Sequence, residues 1–380
     1  MDRRRFLAAS AGGTGLLAGC AGLLPSGATP DSEGSTVPSD ATVTDWPMRG
    51  RTPTHRAVAG EPPSLDGRRQ WEVSLPAQSA TAPVVAGDIL TIGVGNTVLA
   101  VAPTDGSRYW RAELDAAITG QPVVHEGRVF VGTRRPGFAA LDVRTGERLW
   151  TYEYRGNTRG TPVRTPAVAD NTAVATLDRQ ADLPTVLAVD ADTGERQWMA
   201  SPLEDPAAPV PVDGEVYTAG VAQSLADGQV SQEWSKAPDV GVSPAVTDHG
   251  VFILEYTGEK PTQVYSLPEF GAEPAWTVEI PRPLGAMPVV TERFVFVSGH
   301  AIAIDSGRVE YTLDTEIRSP PAVADGVGLL SRRRSVVAFA PATGAIRWTD
   351  EIPQVTRPTQ PALTADGAYV AAGDRLIAYQ

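Results

Sequence analysis

The chain has 380 residues, a formal net charge of −13 and a single cysteine, Cys20. Of its 32 basic residues only Lys236 and Lys260 are lysine, so the surface is acidic, lysine-poor and similar to those of salt-adapted proteins. This balance excludes an intrachain disulfide and a cysteine-rich metal site, and it excludes duplex nucleic acid as a partner, because phosphate binding needs a basic face.

Residues 1–20 have a charged start, a short apolar core and small residues before Cys20, the layout of an export signal. Arg3, Arg4, Phe6 and Leu7 resemble the twin-arginine export motif R-R-x-F-L. Leu17-Ala18-Gly19-Cys20 resembles the lipobox of lipoprotein precursors, and Asp2 departs from the Ser or Thr usual in the export motif. These resemblances imply an exported protein carrying lipid on Cys20 and held at the outer surface of the cytoplasmic membrane. Gly13, Gly15 and Ala18 also spell a dinucleotide fingerprint, but no strand precedes them and no βαβ unit follows. Residues 21–45 are rich in Gly, Ser, Thr, Pro and Asp, which cannot repay the entropy of ordering, so they read as a flexible linker. Beyond the N-terminus no window approaches about 18 uncharged apolar residues, and no internal membrane span is expected.

Residues 46–380 read as one repeat domain. The phrase ALDVRTGERLW (140–150) returns as AVAPTDGSRYW (100–110), AVDADTGERQW (188–198) and AFAPATGAIRW (338–348). Each copy is a strand of small and apolar residues, a tight turn whose Gly takes positive φ, and a second strand ending in Trp. Eight aromatic repeat ends occur, at Trp71, Trp110, Trp150, Trp198, Trp234, Trp276, Tyr311 and Trp348. Eight small-Pro-apolar phrases occur as well, at Pro83, Pro122, Pro166, Pro209, Pro244, Pro288, Pro321 and Pro361. The period near 40 residues predicts an all-β, eight-bladed β-propeller of four-stranded antiparallel blades. Trp71 lacks a preceding Pro phrase and Pro361 lacks a following Trp strand, so the N- and C-terminal strands are expected to share one blade and close a monomeric ring.

The A-x-[DA]-x-x-[TD]-G-x-x-x-W phrase, with the lead-in DWPMRGRTPTHR (45–56), resembles the pyrroloquinoline-quinone-like (PQQ-like) repeats of quinoprotein dehydrogenases and BamB-like lipoproteins of outer-membrane assembly. With the export signal and acidic surface, the resemblance implies a haloarchaeal relative of these propellers whose eight aromatics dock neighbouring blades. The repeats ending at Trp234, Trp276 and Tyr311 depart from it in turn length or terminal residue.

The sequence carries no assignable catalytic, cofactor or metal residues. The vicinal Cys pair of the quinoprotein enzymes is missing. Asp190-Ala191-Asp192-Thr193-Gly194 lacks the ligands of a calcium loop at its fifth and twelfth positions. His55, His125, His249 and His300 are never spaced i, i+4, and no G-x-S-x-G elbow occurs. The expected function is therefore a protein-interaction scaffold without enzymatic activity and without a cofactor. The alternative is a sensor or PQQ-related oxidoreductase holding a ligand in the central channel. Strand alternation puts the first and third connections of each blade on one face and the longer ones on the other. The longer ones carry Arg134, Arg135, Arg155, Arg159, Arg164, Arg179, Arg332, Arg333 and Arg334, whose planar forks suit a protein carboxylate or an anionic surface component.

Overall fold

The apolar runs between turn signals become the second and third strands of each blade. Ile89–Val94 and Thr97–Val101, for example, are buried at every position, as strands covered on both faces must be. The computed structural model describes residues 45–46, 65–134, 137–153, 165–177, 186–200, 207–218, 220–234, 242–255, 261–281, 287–313, 317, 319–352 and 358–380. Among them every named element is a strand, paired into eight antiparallel sheets that form an eight-bladed β-propeller.

Blade 1 spans residues 84–113, blade 2 spans 123–153, blade 3 spans 167–200 and blade 4 spans 210–233. Blades 5, 6 and 7 span 245–280, 289–312 and 322–351. Blade 8 takes Ala362–Leu363, Ala368–Ala372 and Arg375–Tyr379 from the C-terminus and Arg69–Ser74 from the N-terminal side. The ring therefore closes by pairing the two ends of the repeat region. First strands of neighbouring blades touch one another and so line the axis. Fourth strands form the outer rim, where Val230–Glu233 is exposed throughout and Arg69–Ser74 alternates between half-buried and exposed. Charged side chains on these rim strands oppose edge-to-edge pairing with a second sheet.

The register explains the repeat phrase. Ala100, Ala140, Ala188, Ala338 and Ala378 lie opposite Trp110, Trp150, Trp198, Trp348 and Trp71, and Ala301 lies opposite Tyr311. A small residue on the third strand leaves room for the ring facing it. In each of these six blades the ladder also slips beside the aromatic, a bulge that re-aims the side chain.

One strand has no counterpart in the sequence reading, which assigned residue 45 to the linker. Asp45–Trp46 pairs antiparallel with Ala86 and Val85, the inner edge of blade 1, and lies against Ala362–Leu363 of blade 8. Two residues carry no readable period, so no local pattern announces this addition. The export signal, the lipobox and most of the linker lie outside the described residues.

Candidate interaction faces

The seams between blades follow one rule. The indole N–H of Trp71 donates to the carbonyl of Pro103 at 2.8 Å, Trp110 to Val143 at 2.9 Å and Trp150 to Ala191 at 3.0 Å. Trp198 donates to Leu225 at 2.7 Å, Trp276 to Ile304 at 2.9 Å and Trp348 to Leu65 at 3.3 Å. Tyr311 does the same through its hydroxyl, to Pro341. Each acceptor but Leu65 belongs to the turn between third and fourth strands of the next blade, and Leu65 precedes the fourth strand of blade 8, so a buried N–H or O–H finds its partner while the ring fills the seam. The turn glycine lies under the ring: a Cβ built on Gly194 would stand 2.6 Å from the Trp150 indole.

Trp234 is the exception. In blade 4 the position opposite Ala222 is held by Gln232, and Trp234 lies two residues farther on. Six positions separate Gly228 from Trp234, against four between Gly194 and Trp198, which pushes the ring past the docking position. It is buried instead edge-on against Tyr265 of blade 5, with ring centroids 5.1 Å apart. Gly271, the turn glycine of blade 5, meets only the Glu233 carbonyl, at 3.9 Å. Of the three repeats that depart in sequence, those ending at Trp276 and Tyr311 thus keep the seam rule and that ending at Trp234 does not.

The two ring faces differ. On one lie the tight turns after first and third strands, such as Glu126-Gly127 and Arg144-Thr145-Gly146. On the other lie the connections after second strands and between blades. These second-strand connections divide into two kinds. Blades 1, 6, 7 and 8 close in two residues, at 95–96, 298–299, 333–334 and 373–374. Longer connections separate paired residues in blade 3, between Thr176 and Val186, and in blade 5, between Glu255 and Gln263. At the latter's foot the Tyr265 hydroxyl donates to Glu255; burial, and then this carboxylate, push the phenol up to about 12.

Of the arginines, Arg134 and Arg332 to Arg334 lie on the face of the second-strand connections, in different blades. Arg134 is exposed in blade 2. Arg135, Arg155, Arg159, Arg164 and Arg179 lie outside the described residues, on connections of blades 2 and 3. Arg332, Arg333 and Arg334 are in blade 7, three steps around the ring from blade 2 through blades 8 and 1. They are not a long insertion: Arg332 pairs with Ser335, and Arg334 takes φ of 68° to close a two-residue turn. Arg332 is half-buried and its backbone also bridges to Ile317.

The remaining candidates stay apart. His125 is 4.0 Å from Glu126, His249 is 3.3 Å from Glu292, and His300 Nδ1 is 3.0 Å from the Thr312 hydroxyl. His55 lies outside the described residues. The Asp190 carboxylate accepts the N–H groups of Asp192 and Thr193 at 3.0 and 2.9 Å, a turn repeated at Asp142 with Arg144 and Thr145. Among the described residues no three His, Cys, Asp or Glu side chains group to hold a metal ion.

With this geometry in place, comparison with known proteins is decisive for the family. A family model described as outer membrane protein assembly factor BamB matches residues 57–267 and 260–380. The chain belongs to this family of PQQ-like propellers. Among curated relatives, the serine/threonine-protein kinase AfsK of Streptomyces griseus is 28% identical over 200 residues, which is 50% of this chain and 20% of the kinase. The outer membrane protein assembly factor BamB of Burkholderia pseudomallei is 25% identical over 134 residues, 35% of this chain and 34% of that protein. The matched regions thus span a fifth to a third of these relatives. The crystal structure of BamB from Moraxella catarrhalis superposes with a TM-score of 0.66 at 16% identity, covering 82% of this chain and 97% of that one. The quinohemoprotein alcohol dehydrogenase ADHIIG of Pseudomonas putida HK5 gives 0.68 at 12% identity, covering 88% and 80%. These structural likenesses concern the fold alone.

Proposed function

We propose that this propeller is a protein-interaction scaffold, held outside the cytoplasm by lipid on Cys20, with residues 1–20 as its signal, 21–44 as its tether and the longer loops of blades 2, 3 and 5 as its contact surface. The observation that carries the reading is the family match, which runs through nearly the whole ring. The fold adds a division of labour: mostly short turns on one face, and on the other a rigid mount for connections of differing length, where binding residues of repeat proteins belong. The inner edge of blade 1 is occupied by the chain's own Asp45–Trp46, so that part of the axis serves closure. The partner is a protein segment or surface polymer rich in carboxylates, met by the arginines of blades 2 and 3.

The test is cross-linking in intact membranes followed by purification. Replacing Arg134, Arg135, Arg155 and Arg159 by Ser should weaken capture of a specific partner and its salt dependence, with an unchanged melt. Replacing Arg108, Arg144 and Arg196 on the tight-turn side should leave capture intact. Equal loss from both sets refutes the face assignment. Separately, Cys20→Ser should release the protein from membranes or leave an unprocessed precursor; fractionation like the parent refutes the anchor.

A further inference from the structure

A cleft of about 540 Å³ opens on the tight-turn face where blades 6 and 7 meet. Its floor is Phe294, buried at 5% exposure, and Val323 and Pro341 extend the apolar wall. Arg293 lies over the Phe294 ring, its guanidinium carbon 5.2 Å from the centroid, and Arg347 enters from the rim strand of blade 7.

Two of these residues depart from the repeat: Phe294 also packs edge-on against Tyr311 and Phe296, with centroids 6.0 and 5.9 Å apart, whereas Arg347 is exposed. At the register position that opens the second strand, the other blades carry Ile89, Arg128, Thr172, Glu215, Gly250, Val327 and Gly367. Phe294 is the one ring in the set. Immediately before the docking aromatic stand Gln70, Tyr109, Leu149, Gln197, Ala275 and Glu310, and Arg347 is the one base. Both departures line the same cleft. Among the described residues neither Arg293 nor Arg347 has a carboxylate within ion-pair distance, in a protein whose net charge is −13. Glu292, 3.3 Å from His249, and Asp325 are the two acids lining the cleft.

We propose that this cleft binds a small monoanionic carboxylate with a flat apolar body, the body against the wall of Phe294, Val323 and Pro341 and the carboxylate on Arg347, with Arg293 flanking it. The volume lies within the range of small-molecule sites, which are mostly apolar with a few placed polar groups. A guanidinium fork matches a carboxylate in two parallel hydrogen bonds, and a guanidinium over an aromatic face extends the stacking surface. Asp325 opposes a second negative charge, which selects a monoanion over a phosphate ester. This site is independent of the scaffold reading, since it lies on the opposite face.

Isothermal titration of the full chain with 2-naphthoate tests it. Saturable one-to-one binding is expected, weakened about tenfold in Arg347→Gln and about tenfold for the neutral 2-naphthylmethanol, the loss of a charge-assisted pair. Phe294→Val, which installs the residue found at 327, should weaken it too. Arg347 is exposed, so Arg347→Gln should melt like the parent and its binding remain interpretable. No saturable binding by the parent, equal affinity for the alcohol, parent-like binding by Arg347→Gln, or tighter binding of 2-naphthyl phosphate would each overturn the proposal.

Discussion

At Gly146 two constraints meet on one backbone position. Its φ of 72° lies in the left-handed region, and a Cβ there would stand 2.5 Å from the Trp110 ring. Gly127 has a similar φ of 77° with nothing within 4 Å. Gly127→Ala should therefore cost only the conformational term, about 1–2 kcal/mol. Gly146→Ala should cost that and the displacement of a packed indole, about 2–4 kcal/mol in all. Urea unfolding of the two variants decides it, and equal losses would mean that the ring does not press on the turn. His300 gives a residue-scale dependence on pH. Burial holds its imidazole below the ordinary histidine value. The folded state then binds its proton less readily than the unfolded chain, so this contribution is complete above about pH 6.5 and is lost as pH falls toward the folded value. The urea midpoint should drop on acidification through that window, and His300→Gln should remove that part of the slope. An identical slope in the variant would assign the acid sensitivity elsewhere.

The closing strand is held by side chains as well as by its ladder. Arg69 donates to both carboxylate oxygens of Asp350 in blade 7, at 2.8 and 3.1 Å, and to Glu72 at 2.7 Å. The Tyr379 hydroxyl donates to the same Asp350 at 2.7 Å, and the Tyr379 ring stacks on Trp348 with centroids 5.4 Å apart. Asp350 is 21% exposed, so its attraction to Arg69 is only partly screened. Asp350→Asn, which keeps the shape and removes the charge, should cost about 1–3 kcal/mol. Combined with Tyr379→Phe it should fall short of additivity by at least about 0.5 kcal/mol, because both act through one group. Strict additivity in a double-mutant cycle would break the network into unrelated contacts. The contrast with the sequence is physical. Six of the aromatics, the alanines that face them and the turn glycines are legible because each repeat restates them at short separation, whereas the displacement of Trp234 is not. The Arg69–Asp350 pair joins positions 281 residues apart, and no local pattern encodes it. Strand alternation puts the arginines on one face, where Arg134 and Arg332 to Arg334 lie, while their distance around the ring, blade 2 to blade 7, has no local signal.

For the molecule as a whole, the two-residue strand Asp45–Trp46 sets a direction. The first strand of blade 1 runs from Val84 to Ala86 toward the tight-turn face, and its antiparallel neighbour pairs Asp45 with Ala86 and Trp46 with Val85. The chain ahead of Asp45 therefore leaves at the axis on the tight-turn face. If Cys20 carries the anchor, as proposed, and the 24 residues of 21–44 act as a flexible tether of roughly 25–30 Å r.m.s. span, the face from which they leave is held nearer the lipid. The tight turns should then face the lipid and the longer loops should face away, toward partners. Thr104, exposed on a tight turn of blade 1, and Arg333, exposed on the opposite face of blade 7, suit this comparison. With Cys20 blocked by its lipid, a cysteine introduced by Thr104→Cys or Arg333→Cys is the sole free thiol. A fluorophore on each, read in vesicles bearing a headgroup quencher, should be quenched more strongly at position 104 than at 333. Replacing Asp45 and Trp46 by Gly and Pro, which removes the inner pairing, should narrow the difference. Stronger quenching at 333 would reverse the orientation, and equal quenching with the inner strand intact would show that the strand does not govern how the ring sits.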